Sequence, residues 1–121
     1  MQALARPFTP AQRLHHKSEF DRVYKESRRF SDALFAVLIR PNGGTCARLG
    51  LSIAAKIVGN AVRRNRVKRL IRESFRHHQH DLPAVDIVVN ARAGARNADN
   101  AAITRSLEKH WRAVSKQCAP S

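Results

Sequence analysis

Gly59-Asn60-Ala61-Val62-Arg63-Arg64-Asn65-Arg66-Val67-Lys68-Arg69-Leu70-Ile71-Arg72-Glu73-Ser74-Phe75-Arg76 is the stretch that decides how this 121-residue chain folds. At 100° per residue, Leu70, Ile71, Ser74 and Phe75 fall within about 80° of Val67, which is the apolar stripe of a helix seated on a core. Asn65, Arg66, Lys68, Arg69, Arg72, Glu73 and Arg76 take the opposite arc. Glu73 is the one acid there, so i,i+4 pairing leaves the arc strongly positive, and like charges at that spacing destabilise the free helix. A polyanion laid along the arc removes the repulsion.

The flanking sequence supplies the layer on which this helix sits. Ser18 and Asp21 suggest a capping box for a short first helix through about Glu26, with Phe20, Val23 and Tyr24 as its apolar stripe. Asp32 to Arg40 and Cys46 to Ala54 are strand-like runs around Pro41-Asn42-Gly43-Gly44, and the spacing predicts a β-hairpin between them with a loop longer than two residues. Ala84 to Ala91 is a further strand, apolar enough to be buried on both faces, and its place after a helix allows a parallel pairing. Asp99 or Asn100 caps a last helix that buries Ile103, Leu107, Trp111 and Val114. The expected organisation is one α+β domain over 14–115, an extended arm over 1–13 and a flexible tail over 116–121, with no repeat or linker.

Composition narrows the partner. Lys and Arg number 23 against 9 Asp and Glu, a formal charge of +14, while 43% hydrophobic residues suffice for a core. Such an excess points to nucleic acid. Cys46 and Cys118 have no CxxC spacing, and His15, His16, His77, His78 and His80 lack a second ligand cluster, so neither disulfides nor a zinc site is expected. No run approaches the roughly 20 apolar residues of a membrane span, and the N-terminus lacks the h-region of an export signal. The expectation is a cytoplasmic protein without a membrane partner.

Catalytic patterns are missing from the chain itself. The carboxylates sit at helix starts or beside Arg and Lys, there is no GxSxG elbow, and Gly43-Gly44 is too short for a phosphate loop. RNA binding fits better: about five phosphate contacts give a salt slope near −4, or roughly 200-fold weaker binding between 50 and 200 mM salt. Phe20, Tyr24 and Phe35 either belong to the core or offer rings on which unpaired bases stack.

Arg64-Asn65-Arg66-Val67-Lys68-Arg69-Leu70-Ile71-Arg72-Glu73, preceded by Lys56 and Gly59-Asn60-Ala61-Val62, resembles the basic RNR motif of the protein subunits of bacterial ribonuclease P. Glu19 to Tyr24, Arg48 to Ser52 and Asp86 to Arg92 match the same family in order and spacing, so the resemblance covers about 14–115. It implies an α-β-β-β-α-β-α sandwich of the ribosomal protein S5 domain 2-like type with a left-handed βαβ crossover; ordinary chirality would predict a right-handed one. It further implies a subunit that assists a catalytic RNA in removing the 5′ leader of precursor tRNA, with the hydrolysis and its Mg2+ carried by the RNA and no catalytic residue on the protein.

Residue by residue, the resemblance assigns Arg64, Asn65, Arg66, Lys68, Arg69 and Arg72 to the catalytic RNA, and Phe20, Tyr24, Phe35 and Lys56 to a cleft for the single-stranded leader. Two positions depart from the pattern: Ala55 replaces the first of two lysines common in the family, and Tyr24 stands where Phe is common. A ribosomal-type RNA-binding module without an enzymatic context is the alternative. A DNA reader is disfavoured because nothing like a paired helix-turn-helix precedes the basic helix.

Overall fold

The computed structural model describes residues 13–117 apart from 15, 26 and 45; most of the expected arm and residues 118–121 lie outside the described residues. The elements are α1 (Lys17–Lys25), β1 (Arg28–Ser31), β2 (Phe35–Pro41), β3 (Arg48–Ser52), a single turn α2 (Ala55–Val58), α3 (Ala61–His78), β4 (Val85–Ala91) and α4 (Asn100–Gln117). The expected α-β-β-β-α-β-α order is present, with α2 added. Helix α4 runs two residues into the stretch expected to be a tail.

The four strands form one sheet in the order β1-β2-β4-β3. β2 and β3 therefore do not pair, which corrects the expected hairpin. β4 lies between them, antiparallel to β2 and parallel to β3, with Arg48 opposite Asp86 and Ser52 opposite Asn90. The reason is burial: β2 and β4 each begin with five buried residues and so take the centre, whereas β3 is polar at both ends and takes an edge. The true hairpin joins β1 to β2, and Asp32 turns it, its Oδ1 accepting the Leu34 and Phe35 N–H groups at 2.9 Å each.

Strand alternation sorts two cores. Phe35, Val37, Ile39, Leu49, Ile87 and Val89 meet Val67, Ile71 and Phe75 of α3 and Ile103, Leu107, Trp111 and Val114 of α4. Ala36, Leu38 and Val88 on the other face meet Val23 of α1 and Leu14, with Phe20 at the rim. The four apolar positions expected in the last helix are thus core. Trp111 sits edge-on to Phe75 and donates its indole N–H to Ser74 Oγ at 2.8 Å, which satisfies the one polar group this contact buries.

The helix ends follow their caps. Asp99 Oδ1 accepts the Ala102 N–H at 2.8 Å, so Asp99 caps α4. The box of α1 lies two residues before the expected one: Glu19 Oε1 accepts the His16 N–H at 3.1 Å, the back-bond of a capping box with His16 in the cap position. Among the described residues, no helix is long and apolar enough to cross a membrane.

Candidate nucleic-acid interface

The basic helix is launched by two residues that interrupt α2. Gly59 takes a φ of 114°, a conformation that suits a residue without Cβ, and Asn60 Oδ1 accepts the Arg63 N–H at 3.0 Å. From that start Val67, Ile71, Ser74 and Phe75 are buried, as the helical wheel requires. Asn65, Arg69 and Arg72 are exposed and Lys68 is half-buried. The exposed Glu73 is held by Arg76, whose Nε donates to Oε1 at 3.1 Å; that pairing keeps its carboxyl below the usual range and takes the acid out of play.

Two members of the expected set are placed differently. Arg66 turns to α4, donating from Nε to Asn100 Oδ1 at 3.0 Å and from its terminal nitrogen to the Ala98 carbonyl at 2.6 Å. Arg64 is half-buried, and its Nε is enclosed without a hydrogen-bond partner among the described residues. The open arc is therefore the cations Arg69 and Arg72 with the neutral Asn65, and Lys68 at its edge.

Beside that edge lies a cavity of about 160 Å³ lined by Arg13, Leu14, Phe20, Leu49, Gly50, Leu51, Lys68 and Arg72. It brings an aromatic ring of α1, the outer strand β3 and two cations of α3 to one place. Phe20 lies directly on Gly50: a Cβ there would meet two of its ring carbons at 2.7 Å. Arg13, in the expected arm, bridges to Leu49 in parallel, and the Leu14 N–H donates to the Leu49 carbonyl at 3.0 Å, which lays the chain along the open edge of β3.

Tyr24 is 44% exposed, and its hydroxyl donates to Asn90 Oδ1 at 3.0 Å. The hydroxyl that departs from the family pattern thus has a partner on β4, one strand in from Ser52. Lys56 is exposed on α2, four residues beyond Ser52 and outside the cavity lining. Phe35 does not belong to this site. It is 0% exposed and points to the α3 and α4 side of the sheet, while β2 offers Ala36 and Leu38 to the α1 side.

A charge network missed in the sequence fixes α1 over the sheet. Arg48 donates from Nε to Asp86 Oδ1 and from a terminal nitrogen to Asp86 Oδ2, both at 2.8 Å, and from the other nitrogen to Glu19 Oε2 at 2.7 Å. The Asp86 hydrogen bonds raise the guanidinium pKa further, against the opposing effect of burial. Asn42 joins the same Asp86 oxygen to the carbonyl of Cys46, each at 3.1 Å. Since Glu19 immediately precedes Phe20, this fork sets where the ring lies. Its sequence signal is one acid inside the apolar run Val85-Asp86-Ile87-Val88-Val89.

The family model described as Ribonuclease P matches residues 8–115. The ribonuclease P protein component of Thioalkalivibrio sulfidiphilus is 43% identical over 117 residues, spanning 97% of this chain and 98% of that protein. That of Methylococcus capsulatus is 43% identical over 114 residues, 94% of this chain and 89% of the relative. Among solved structures, the Staphylococcus aureus RNase P protein superimposes with a TM-score of 0.80 at 37% identity over 87% of this chain and 95% of that one. The Thermotoga maritima RNase P protein gives 0.77 at 32% identity over 84% and 96%.

Proposed function

The chain belongs to the ribonuclease P protein family, and we propose that it serves that ribonucleoprotein through two surfaces, one for the catalytic RNA and one for the 5′ leader of precursor tRNA. As a ribonuclease P protein component it is part of an endoribonuclease complex involved in tRNA 5′ maturation, and its partner is RNA. The outer arc of α3 grips the catalytic RNA through Asn65 and Arg69, which are open to phosphates, while Lys68 and Arg72 stand at the cavity rim where the two surfaces meet. Arg66 holds α3 to the start of α4 rather than leading the contact, and Arg64 is half-buried beside the arc.

The observation that carries the leader reading is the meeting of Phe20 with Lys68 and Arg72 in one cavity. A ring face and two cations suit an unpaired nucleotide, whose base stacks while its phosphates are neutralised, with no need for a base-specific code. Tyr24, held by Asn90, and Lys56 extend the track along the end of β3. Precursor is then distinguished from mature tRNA by addition, because only the precursor has a leader to place there.

Magnesium in this reading belongs to the RNA. Hard cations favour clustered oxygen ligands, whereas Glu19 and Asp86 are committed to Arg48, Asp32 to Lys109, and Glu73 to Arg76. No residue of the chain acts as acid, base or nucleophile; the hydrolysis takes place on the RNA, in the cytoplasm. The test is cleavage of a 5′-extended precursor tRNA by a bacterial ribonuclease P RNA at low magnesium, with and without the protein and with protein alone. Acceleration in the combined reaction only is expected. No acceleration with a folded RNA moves the protein to the ribosomal-type module.

A further inference from the structure

Helix α4 carries a second positive stripe that neither the α3 arc nor the cavity uses. Arg105, Lys109, Arg112 and Lys116 follow at i, i+4, i+7 and i+11, all exposed. On a helical wheel they share an arc of about 60°, and its centre is diametrically opposite Ile103, Leu107 and Val114, which enter the core. The same spacing sets Asn65, Arg69, Arg72 and Arg76 on α3. Between the two rows runs a groove lined by Leu70, Glu73, His77, His78, Thr104 and Glu108, so they are separate rails rather than one patch.

A solvated helix face ordinarily alternates its charges, and this one does not. The one acid of α4 is Glu108, whose Oε2 lies 3.9 Å from His78 Nε2 of α3 and so faces the groove rather than the stripe. Asp32 approaches Lys109 at 3.0 Å, but its carboxylate is mostly buried and also accepts from Ser106 Oγ at 2.6 Å. The side chains of Arg105, Arg112 and Lys116 have no hydrogen bond or ion pair among the described residues. Like charges at i,i+3 and i,i+4 along the whole stripe oppose helix formation, and only an external polyanion turns that repulsion into attraction.

We infer that the α4 stripe is a second phosphate-binding rail, occupied by the backbone of a base-paired segment of the catalytic RNA; this rests on the reading that α3 binds that RNA. The chemistry favours a duplex backbone because the stripe spans about 16 Å of helix and has no aromatic residue on which an unpaired base could stack. Position favours the catalytic RNA over the leader: α4 packs on the face of the sheet opposite to the one covered by α1, which bears Phe20 and Tyr24. α3 and α4 together then hold the protein to its RNA by two parallel contacts, leaving the α1 side for substrate.

The test combines Arg105→Gln, Arg112→Gln and Lys116→Gln, leaving Lys109 with Asp32, and compares this variant with wild type and with Arg69→Gln/Arg72→Gln. Binding to ribonuclease P RNA is titrated from 50 to 400 mM salt, followed by binding of precursor tRNA to the assembled holoenzyme. The expected result is a salt slope less steep by about 2 to 3 for the α4 variant, with weaker assembly at low salt, an unchanged ratio of precursor to mature tRNA affinity and a fold at least as stable. Wild-type affinity and slope in the α4 variant, with the α3 variant impaired, overturn the rail and leave the proposed function standing. Normal assembly but weakened precursor binding overturns the assignment to catalytic RNA. Failure of the wild-type protein to bind the RNA overturns both.

Discussion

Arg66 and Asn100 join the middle of the basic helix to the first residue of the last one, guanidinium Nε to amide Oδ1 at 3.0 Å, with the Ala98 carbonyl taking a second bond at 2.6 Å. The charge that looks most central to RNA binding is a fastener between two helices. Arg66→Ala should cost about 1 to 2 kcal/mol of unfolding free energy, the scale of losing two partly exposed charge-assisted hydrogen bonds. Asn65→Ala and Arg69→Gln should leave stability within about 0.5 kcal/mol while weakening assembly. Urea unfolding of the three variants separates these outcomes, and a fully stable Arg66→Ala protein would return that residue to the RNA-facing set.

The Phe20 ring can be displaced without being deleted. A methyl group at position 50 enters the space of the ring carbons, so Gly50→Ala should swing Phe20 off β3. We expect Gly50→Ala and Phe20→Ala both to lower holoenzyme affinity for precursor tRNA by about 1 to 3 kcal/mol, the value of one stacked base, with mature tRNA unaffected. Equal losses for both substrates would show that the ring supports the fold and not the leader.

The Arg48 fork makes a sharper stability prediction. Asp86 is 5% exposed and receives two of the guanidinium's three bonds, so Asp86→Ala leaves a charge stranded over β4 and should destabilise the protein by about 3 kcal/mol. Glu19→Gln removes one peripheral bond and should cost about 1 kcal/mol, with a larger effect on precursor affinity because the anchor of α1 is loosened. Denaturant melts alongside leader-dependent binding measure both.

Acid should weaken the packing of α4 against the β1–β2 turn in two stages. His110 is buried and its pKa is lowered, burial outweighing the nearby Asp32 carboxylate. The unfolded chain then binds a proton at about pH 6.5 that the folded chain resists, so this contribution is full above that pH and declines as pH falls through the folded value. Asp32 follows. Burial would raise its pKa, but Ser106, the Phe35 and Leu34 N–H groups and Lys109 together hold it well below the carboxylate range. Its contribution is full above about pH 4 and is lost as pH falls through its folded pKa. Denaturant midpoints at pH 7, 5 and 3 should decline in both steps; His110→Gln should flatten the first and Asp32→Asn the second.

The sequence made the long helices legible because each announces itself locally: the Val67, Ile71 and Phe75 stripe, the Asp99 cap, and the Ile103 to Val114 ladder all survive in the structure, whereas the single turn α2 was not expected. Strand pairing was not legible. Neither Arg40 nor Arg48 reveals that a strand forty residues away will separate them. Phe35 was misassigned for a related reason: β2 is apolar on both faces, so alternation cannot say which face meets α1. The Arg66 contact was invisible because one of its acceptors is the main-chain carbonyl of Ala98, which carries no signature of its own. Phe20 was legible only as one of two possibilities, core or cleft; it lies half-buried over Gly50 at the rim of the second core.

The placement of β4 between β2 and β3 also orders events on the ribosome. When the chain has been made as far as the end of α3, the sheet has its β1–β2 hairpin and a lone β3 with nothing to join them. The basic helix therefore emerges before the platform on which it seats, and the strand that completes the platform arrives last but one. Loop closure over the long β3 to β4 connection must precede the reward of its pairing, which is slower than closing a local hairpin such as β1–β2. During that interval Arg64, Arg66, Lys68, Arg69 and Arg72 are already present, so RNA in reach of the nascent chain can meet the helix before the fold exists.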